Sequence, residues 1–549
     1  MARASGPATQ DFLPGEFQHA ASGMHYRVYE EDGDAWLSFE RSGENEVHGK
    51  RKLQYFIGSG HRGRTFLFAD DGFVFESPIN FYAAKGAGGQ GVWDMAPAYQ
   101  DAQEMPLNLP AAPSCLACHT SNAQAPIAGT ENKYGTPLFA HDGVTCERCH
   151  GAGIEHVKQM QAATTKAAQT NSGQKSSAKS NGPPSANVAP EARAATILAA
   201  GAGIVNPAKL TPARRDAVCM QCHLEGNAAI EQPGRHLNQF QAGEDLGDFV
   251  HYFVLTGDGK DSVRAVSQFE ALAQSKCKRV SGDAMTCTSC HDPHSSPTAA
   301  GKVAFYRGKC LACHGEAFGA KHHVEEQDCA QCHMPRLATA DVAHTQASDH
   351  RILRVPLMPL QGVGSPFDPS HGPPPDPKLT RFPTGLGEES VRDLALAWVG
   401  LGGGNSSYAF KQAGVFLQQA VEQNPEDPAI LSALAYNEQR RGVLDKAREH
   451  YEHALRIDPL LVDAAGNLGV MEANAGHFDK AIALWKPAFE RAPERSSLGL
   501  NLARGLCLSG RADEVRATIT RMLEFNPDSA AGRGMLKQLD GGEVKCVVH

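Results

Sequence analysis

The tightest constraint on this 549-residue chain is one five-residue motif that occurs six times. Between Cys287 and His333 it appears as Cys287–Cys290–His291, Cys310–Cys313–His314 and Cys329–Cys332–His333. Three copies lie upstream, at Cys115–Cys118–His119, Cys146–Cys149–His150 and Cys219–Cys222–His223. From the chain's own Cys and His frequencies, roughly 0.02 copies are expected by chance. Two residues between the cysteines let both sulfurs reach one edge of a flat macrocycle from a single helical turn. The adjoining His is then placed to ligate the metal at the centre. This is the attachment signature of a c-type haem, and the sequence predicts six covalent haems with His119, His150, His223, His291, His314 and His333 as proximal ligands. Paired C-x-x-C motifs also bind zinc, but zinc ribbons do not require the His that closes every box here.

Twelve of the fifteen cysteines lie in the boxes and are unavailable for a disulfide framework, leaving Cys277, Cys507 and Cys546. Aromatic residues are only 7% of the chain, lean for two to four domains. Six flat apolar groups would supply the missing core. Covalent haem attachment ordinarily takes place outside the bacterial cytoplasm, so a periplasmic or extracellular location is expected, where free thiols oxidise. The stretch MARASGPATQ has no apolar signal-peptide core, so any such leader is absent or trimmed from this numbering. No run reaches the length of a membrane span. The net charge of −9 argues against nucleic acid as a partner.

Along the chain, HYRVYEE, AWLSFER, LQYFIGS, RTFLFA and FVFESPINFY alternate apolar and polar residues between the turn signals DGD, GHRG and DDG. They predict a small N-terminal β-meander within residues 15–110, packed on the haem core. Residues 111–355 form the predicted multihaem domain, an irregular core packed around haem. Within it, 159–190 is nearly pure Ala, Ser, Gln, Lys, Asn and Thr and reads as a disordered insertion. The stretch from Gly243 to Ala273 reads as partly helical. Residues 356–387 are Pro-rich, a linker without elements of its own. From 388 to 540, Pro425, Pro459, Pro493 and Pro527 recur every 34 residues, as do Gly442, Gly476 and Gly510, Ala413, Ala447 and Ala481, and Ala420, Ala454 and Ala488. That period resembles the tetratricopeptide (TPR) pattern, an α-solenoid of helix pairs, with a degenerate first unit near Glu388 and a capping helix after Asp528. The expected fold is therefore mainly α.

A second His on the far face of an iron makes a six-coordinate electron carrier, whereas an open face admits substrate. Placement beside the boxes selects His141, His156, His294, His322, His323, His344 and His350 as distal candidates. His61, in GSGHRGR, and His19 are weaker ones, and His236, His251 and His371 read as structural. Cys277 reads first as a buried structural thiol, and alternatively as a thiolate near an iron or a redox-active thiol.

With FAHDGVTCERCHG, CHDPH and SKCKRVSGDAMTCTSCH, the six boxes resemble the multihaem c-type cytochromes of respiratory and nitrifying bacteria. The likeness is greatest to the tetrahaem carriers paired with hydroxylamine oxidation and their longer relatives, and covers roughly residues 15 to 355. It implies bis-histidine haems packed into a path for electrons, with His141 and His294 matching known distal positions. The fused TPR region departs from the minimal carrier. Three functions follow as expectations. The first is electron transfer between redox partner proteins, one of them docked through the TPR region. The second is a reductase of nitrogen or sulfur oxyanions with one open iron, although no box has the Lys in place of His that marks one such family. The third is a scaffold within an extracellular haem assembly.

Overall fold

In the computed structural model the described residues are 2–4, 12–43, 46–58, 60, 62–83, 91–99, 107–173, 204–256, 264–315, 328–354, 377–383, 390–402, 406–542 and 546. The N-terminal part is larger than a small meander. Strands β1 (Ala2–Arg3), β2 (Gly15–His19), β3 (Met24–Glu31), β4 (Asp34–Arg41), β5 (Val47–Ile57), β6 (Gly63–Asp70), β7 (Phe73–Tyr82) and β8 (Val92–Met95) form one antiparallel sheet. Its order is β2 to β8 in sequence, with β1 added beside β5. Alternation decides its faces: Ala35, Leu37 and Phe39 of β4 point inward and Trp36, Ser38 and Glu40 do not. Tight turns at Asp32–Gly33 and Asp71–Gly72 place both residues of each pair at positive φ, the backbone that matches hairpin twist. The sheet curls until its two edges meet. A Cβ on Gly15 of β2 would lie 2.0 Å from the Trp93 indole of β8, so only glycine fits beneath that ring. Sequence reasoning understated this element because the closing strand β8 is short and lies outside the strongly alternating run.

The middle of the chain is a series of short elements. They are α1 (Pro113–His119), α2 (Glu147–His150), α3 (Ile154–Gly173), α4 (Pro212–His223), β9 (Ala228–Glu231), β10 (Val250–Thr256), α5 (Gln268–Gln274), α6 (Lys276–Ser281), α7 (Lys302–His314), α8 (Cys329–His333), β11 (Arg336–Ala338) and β12 (Gln346–Ser348). Three expectations change here. Helix α3 runs through the first half of the expected disordered insertion, as far as Gly173, because Ala, Gln and Lys favour helix without needing a core. Residues 174–190 lie outside the described residues. Within Gly243–Ala273 helix is present at Leu246–Asp248 and in α5, but strand β10 lies between them, its apolar VHYFVLT run filled by β-formers. The end of the Pro-rich linker forms β13 (Lys378–Phe382), which completes a three-stranded sheet in the order β13-β10-β9.

The C-terminal region consists of helix pairs, α9 (Val391–Gly402) with α10 (Ser407–Gln423), α11 (Pro428–Arg440) with α12 (Leu444–Ile457), α13 (Val462–Asn474) with α14 (Phe478–Arg491), and α15 (Ser496–Leu508) with α16 (Ala512–Phe525), followed by α17 (Ala530–Asp540). Gly442, Gly476 and Gly510 close the first helix of successive pairs at φ of 79°, 80° and 72°, the left-handed cap that only glycine adopts freely. The periodic alanines are buried because two helices touch there. A disulfide joins Cys507 of α15 to Cys546.

Both ends of this array are tied to the rest of the chain. At the start, Asp393 of α9 is 1% exposed and accepts hydrogen bonds from His251 Nδ1 at 2.6 Å and Gln232 Nε2 at 3.0 Å. Burial alone would raise its carboxyl, but hydrogen bonds from His251, Gln232 and Arg392 outweigh this and hold it below the usual range. At the far end, Phe525 is 2% exposed and its ring meets Phe73 and Phe75 of the N-terminal sheet at 5.5 and 5.8 Å. Arg41 pairs with Asp528 and Arg521 with Asp71 around it.

Two outcomes follow from this packing. Phe525→Ala should cost about 3 kcal/mol or more in urea denaturation, because it empties a filled contact between sheet and helix array. Glu494, 4% exposed between α14 and α15, is pushed by burial from its ordinary 4.5 up to about 7. Its folded form therefore holds a proton that the unfolded chain releases, and stability falls as pH rises from about 4.5 through about 7. Glu494→Gln should then be more stable than the parent by up to about 3 kcal/mol at a pH of about 8 and equal to it at about 4, as read from unfolding midpoints.

Candidate haem-attachment site

Local structure presents the boxes in the geometry their spacing predicts. Five of the six close a helix: α1 ends at His119, α2 at His150, α4 at His223, α7 at His314 and α8 at His333. The box at Cys287 forms a 3-10 turn, with Thr286 and Ser289 capping it reciprocally. In each, one turn places both sulfurs on the same side of the backbone.

The boxes lie beside one another as well as along the chain. Cys118 Sγ donates to the Gln221 carbonyl at 3.4 Å and Cys222 Sγ to that of Cys118 at 3.9 Å, and Cys219 lies beside Cys287. Cys149 lies close enough to Cys219 and Cys222 to interact with both. Cys290 interacts with Cys313 in the same way, and Cys310 contacts Cys329. All six boxes thus belong to one connected set. Cys277 joins its lower end, interacting with Cys290 and Cys310.

Burial shows what this set lacks. Among residues 276–315 only Thr286 is buried, and helices α6, α7 and α8 contain no buried residue. Short helices without a packed face are marginal in water. Val280 at 71% and Val303 at 37% are exposed here, and Val144, Ile154 and Val157 are exposed around the second box. A flat apolar group bonded to each pair of thiols would cover these side chains, so the residues present fit a covalent haem.

The histidines fit as well. His150 Nδ1 donates to the Val205 carbonyl at 2.9 Å and His333 Nδ1 to that of Leu353 at 2.6 Å. His223 Nδ1 meets Gln268 Oε1 at 3.0 Å, and His291 Nδ1 meets the Tyr306 hydroxyl at 3.4 Å. With Nδ1 engaged, Nε2 is the nitrogen left for a metal. Sequence reasoning did not reach Val205, Leu353, Gln268 or Tyr306, because two are backbone contacts and the others carry no local motif.

Two distal candidates meet proximal histidines. The rings of His150 and His294 lie 5.9 Å apart with planes 12° from parallel, and those of His291 and His350 lie 6.2 Å apart at 29°. Metal–imidazole bonds of about 2 Å on either side of one metal put ring centres roughly 6 Å apart, the spacing seen in both pairs. His350 Nδ1 donates to the Ser348 carbonyl at 2.9 Å, which again leaves Nε2. Partial burial holds His291 below the ordinary imidazole range, with repulsion from His350 and His223 adding to it; His350 is lowered by partial burial too. Neutral imidazole is the form that ligates.

The other candidates are placed differently. His344 Nε2 is engaged by Asp94 Oδ2 at 2.7 Å and its ring lies against Tyr82, so it ties the box region to the N-terminal sheet. His19 is buried in β2 with Nδ1 on the Ser22 hydroxyl at 2.7 Å. His141 is exposed, and His156 on α3 is half-buried. His61, His322 and His323 lie outside the described residues. Among the described residues no three His, Cys, Asp or Glu side chains gather to hold a bare metal ion, and no helix is long and apolar enough to cross a membrane.

Comparison with known proteins supports both halves of this arrangement. Residues 92–151, which contain the first two boxes, match the family of cytochrome c554 and c-prime. Residues 472–539 match the tetratricopeptide repeat family. Two curated relatives are the protein O-mannosyl-transferase TMTC1 of Mus musculus, 32% identical over 104 residues, and that of Homo sapiens, 30% identical over 104 residues. Each alignment covers 18% of this chain, and the chain spans only 11% and 12% of the length of those relatives. Solved structures with some likeness include MamA AMB-1, at 21% identity over 28% of this chain and 80% of that one, with a TM-score of 0.25. PilF of Pseudomonas aeruginosa aligns at 22% identity over 28% and 71% of the two chains, with a TM-score of 0.26. Those scores are too low to bear on this fold. The family matches are what count: a cytochrome c region, of the kind that binds haem c covalently, is joined to a TPR region in one chain.

Proposed function

We propose that this protein is a six-haem c-type cytochrome that passes electrons between redox partner proteins. The observation that carries this reading is that the boxes adjoin one another: Cys118 Sγ lies 3.4 Å from the Gln221 carbonyl, Gln221 Nε2 3.4 Å from that of Arg148 and the Cys287 N–H 3.2 Å from Asp216 Oδ1, with Cys290 near Cys313 and Cys310 beside Cys329. Electron tunnelling falls steeply with distance, so a carrier must hold its redox groups edge to edge, and adjoining attachment points do this. When bound, each haem supplies a one-electron iron couple. The chain's own work is to anchor, orient and shield. The twelve box cysteines would form the thioethers and the six closing histidines would ligate, with Nδ1 bonds holding the rings of His150, His223, His291 and His333. His294 and His350 would be the second ligands at the second and fourth boxes, in line with the ring pairs His150–His294 and His291–His350.

The TPR region is the second functional element. Its two ends are engaged within the chain and Arg491 of α14 lies against Gly129, so partner docking falls to α11 to α13. The Cys507–Cys546 disulfide agrees with an oxidising compartment, periplasmic or extracellular. The domain limits that suit this reading are 15–110 for the sheet, 111–355 for the haem region and 388–540 for the TPR array.

Low-temperature EPR with optical spectra of the reduced holoprotein, with and without carbon monoxide, tests the ligation. Low-spin signals alone, with no carbon monoxide shift, are expected of a carrier; a shift in about one haem of six would sink the carrier reading in favour of an oxyanion reductase. His294→Ala and His350→Ala should each turn one low-spin centre into a high-spin one that binds carbon monoxide. A chain expressed without haem attachment should be cut by trypsin first within residues 276–314, where Lys276, Lys278, Arg279, Lys302, Arg307 and Lys309 stand on helices with no core of their own. Equal resistance of haem-free and haem-loaded protein in that segment would contradict the role given to the cofactor.

A further inference from the structure

We infer that the third box, Cys219–Cys222–His223, is the hub of the array, touching the first, second and fourth boxes at once, and that Arg148 and Asp216 are the positioning residues that keep it there. This rests on the haem reading above and adds an order in space to it. The two thiols of the box point to different neighbours. Cys222 Sγ donates to the Cys118 carbonyl of the first box at 3.9 Å, and Cys118 Sγ to the Gln221 carbonyl at 3.4 Å. Cys219 lies beside Cys287 of the fourth box, whose N–H bonds Asp216, one turn before Cys219. Cys149 of the second box lies beside both. Beyond the fourth box the contacts run on singly, Cys290 to Cys313 and Cys310 to Cys329.

Buried polar groups hold this junction. Arg148, inside the second box, is 5% exposed and donates to the carbonyls of Asn238 at 3.2 Å and Leu237 at 3.4 Å. Its own carbonyl accepts from Gln221 Nε2 at 3.4 Å, and its guanidinium bonds Cys222. One residue therefore clamps the second box to the third. Asp216, one turn before Cys219 on α4, is 3% exposed. Its Oδ1 accepts from the backbone N–H of Cys287 at 3.2 Å and its Oδ2 from Lys278 Nζ at 3.4 Å. It clamps the fourth box to the third. A buried carboxylate and a buried guanidinium are costly unless paired, and here Asp216 accepts across the junction of the third and fourth boxes while the Arg148 guanidinium is held by the Leu237 and Asn238 carbonyls.

A thioether forms where each thiol stands, so groups anchored on contacting thiols have adjoining edges. A linear array gives each interior centre two neighbours. Box three has three, so two branches, the first and second boxes, share one outlet through the fourth, fifth and sixth. Each hop moves one electron, oxidising one iron as the next is reduced, with no atom transferred.

The test uses the holoprotein. His223→Met keeps both thioethers and raises the potential of one centre. With a hub, spectroelectrochemical titration and EPR should show that centre moved upward and three others altered in potential or line shape, with two unchanged. Changes confined to two or fewer other centres would overturn the hub. Asp216→Asn provides a second variant should the first not fold: it should alter the spectral interaction of the third and fourth centres and leave those of the first and second as they were. Unchanged spectra throughout would remove Asp216 from its positioning role, and Arg148→Lys tests the second box in the same way. Counting covalent haem per chain by mass separates the two levels, because fewer than six groups on the parent protein refutes the haem reading, whereas six groups with a linear pattern refutes only the hub.

Discussion

The stretch from Lys276 to Gly315 depends on a core that its own side chains do not supply. From Lys276 to Gly315 a single residue, Thr286, is buried, although four helical elements cross that stretch. Backbone hydrogen bonds cannot hold such short helices against conformational entropy, so their stability must come from apolar surface brought from elsewhere. The boxes that break up the sequence are also the points where such surface would be bonded. Spare aromatic content, exposed valines beside the boxes and the connected thiols express one constraint: the fold is completed by its cofactor.

The two regions that do have cores of their own flank this stretch and grip each other around it. The curled N-terminal sheet buries Tyr26, Phe66, Phe68, Phe73 and Phe75, and Phe525 of the helix array is inserted into the same cluster. At its other end the array meets the β13-β10-β9 sheet through His251 and Asp393, a buried ion pair of the kind that specifies an arrangement more than it stabilises one. His344 adds a link from the box region to the sheet through Asp94. The helical repeat is thus held at both ends as a brace.

Legibility from sequence varied with how local each signal was. The 34-residue repeat was legible because proline, glycine and alanine recur where a helix ends or two helices touch. The strands β3 to β7 were legible through alternation and their Asp–Gly turns. β8 and β13 were not, since a strand of four or five residues is defined by the neighbour it pairs with. Among the histidines, placement beside a box selected His294 and His350, which meet proximal rings, but also His344, whose Nε2 is taken by an aspartate 250 residues away. No local pattern separates those outcomes, because an imidazole's role depends on what faces each of its two nitrogens.

By itself the sequence determined the six Cys-x-x-Cys-His boxes and the period of the helical array, because each is written in residues adjacent along the chain or repeated at a set interval. Which boxes become neighbours, which distal histidine faces which ring, and where the repeat docks were decided only by tertiary structure. Those depend on single buried groups, Asp216, Arg148, Asp393 and Phe525, whose partners lie from tens to hundreds of residues away, and a contact across that distance leaves no periodic trace in the chain that makes it.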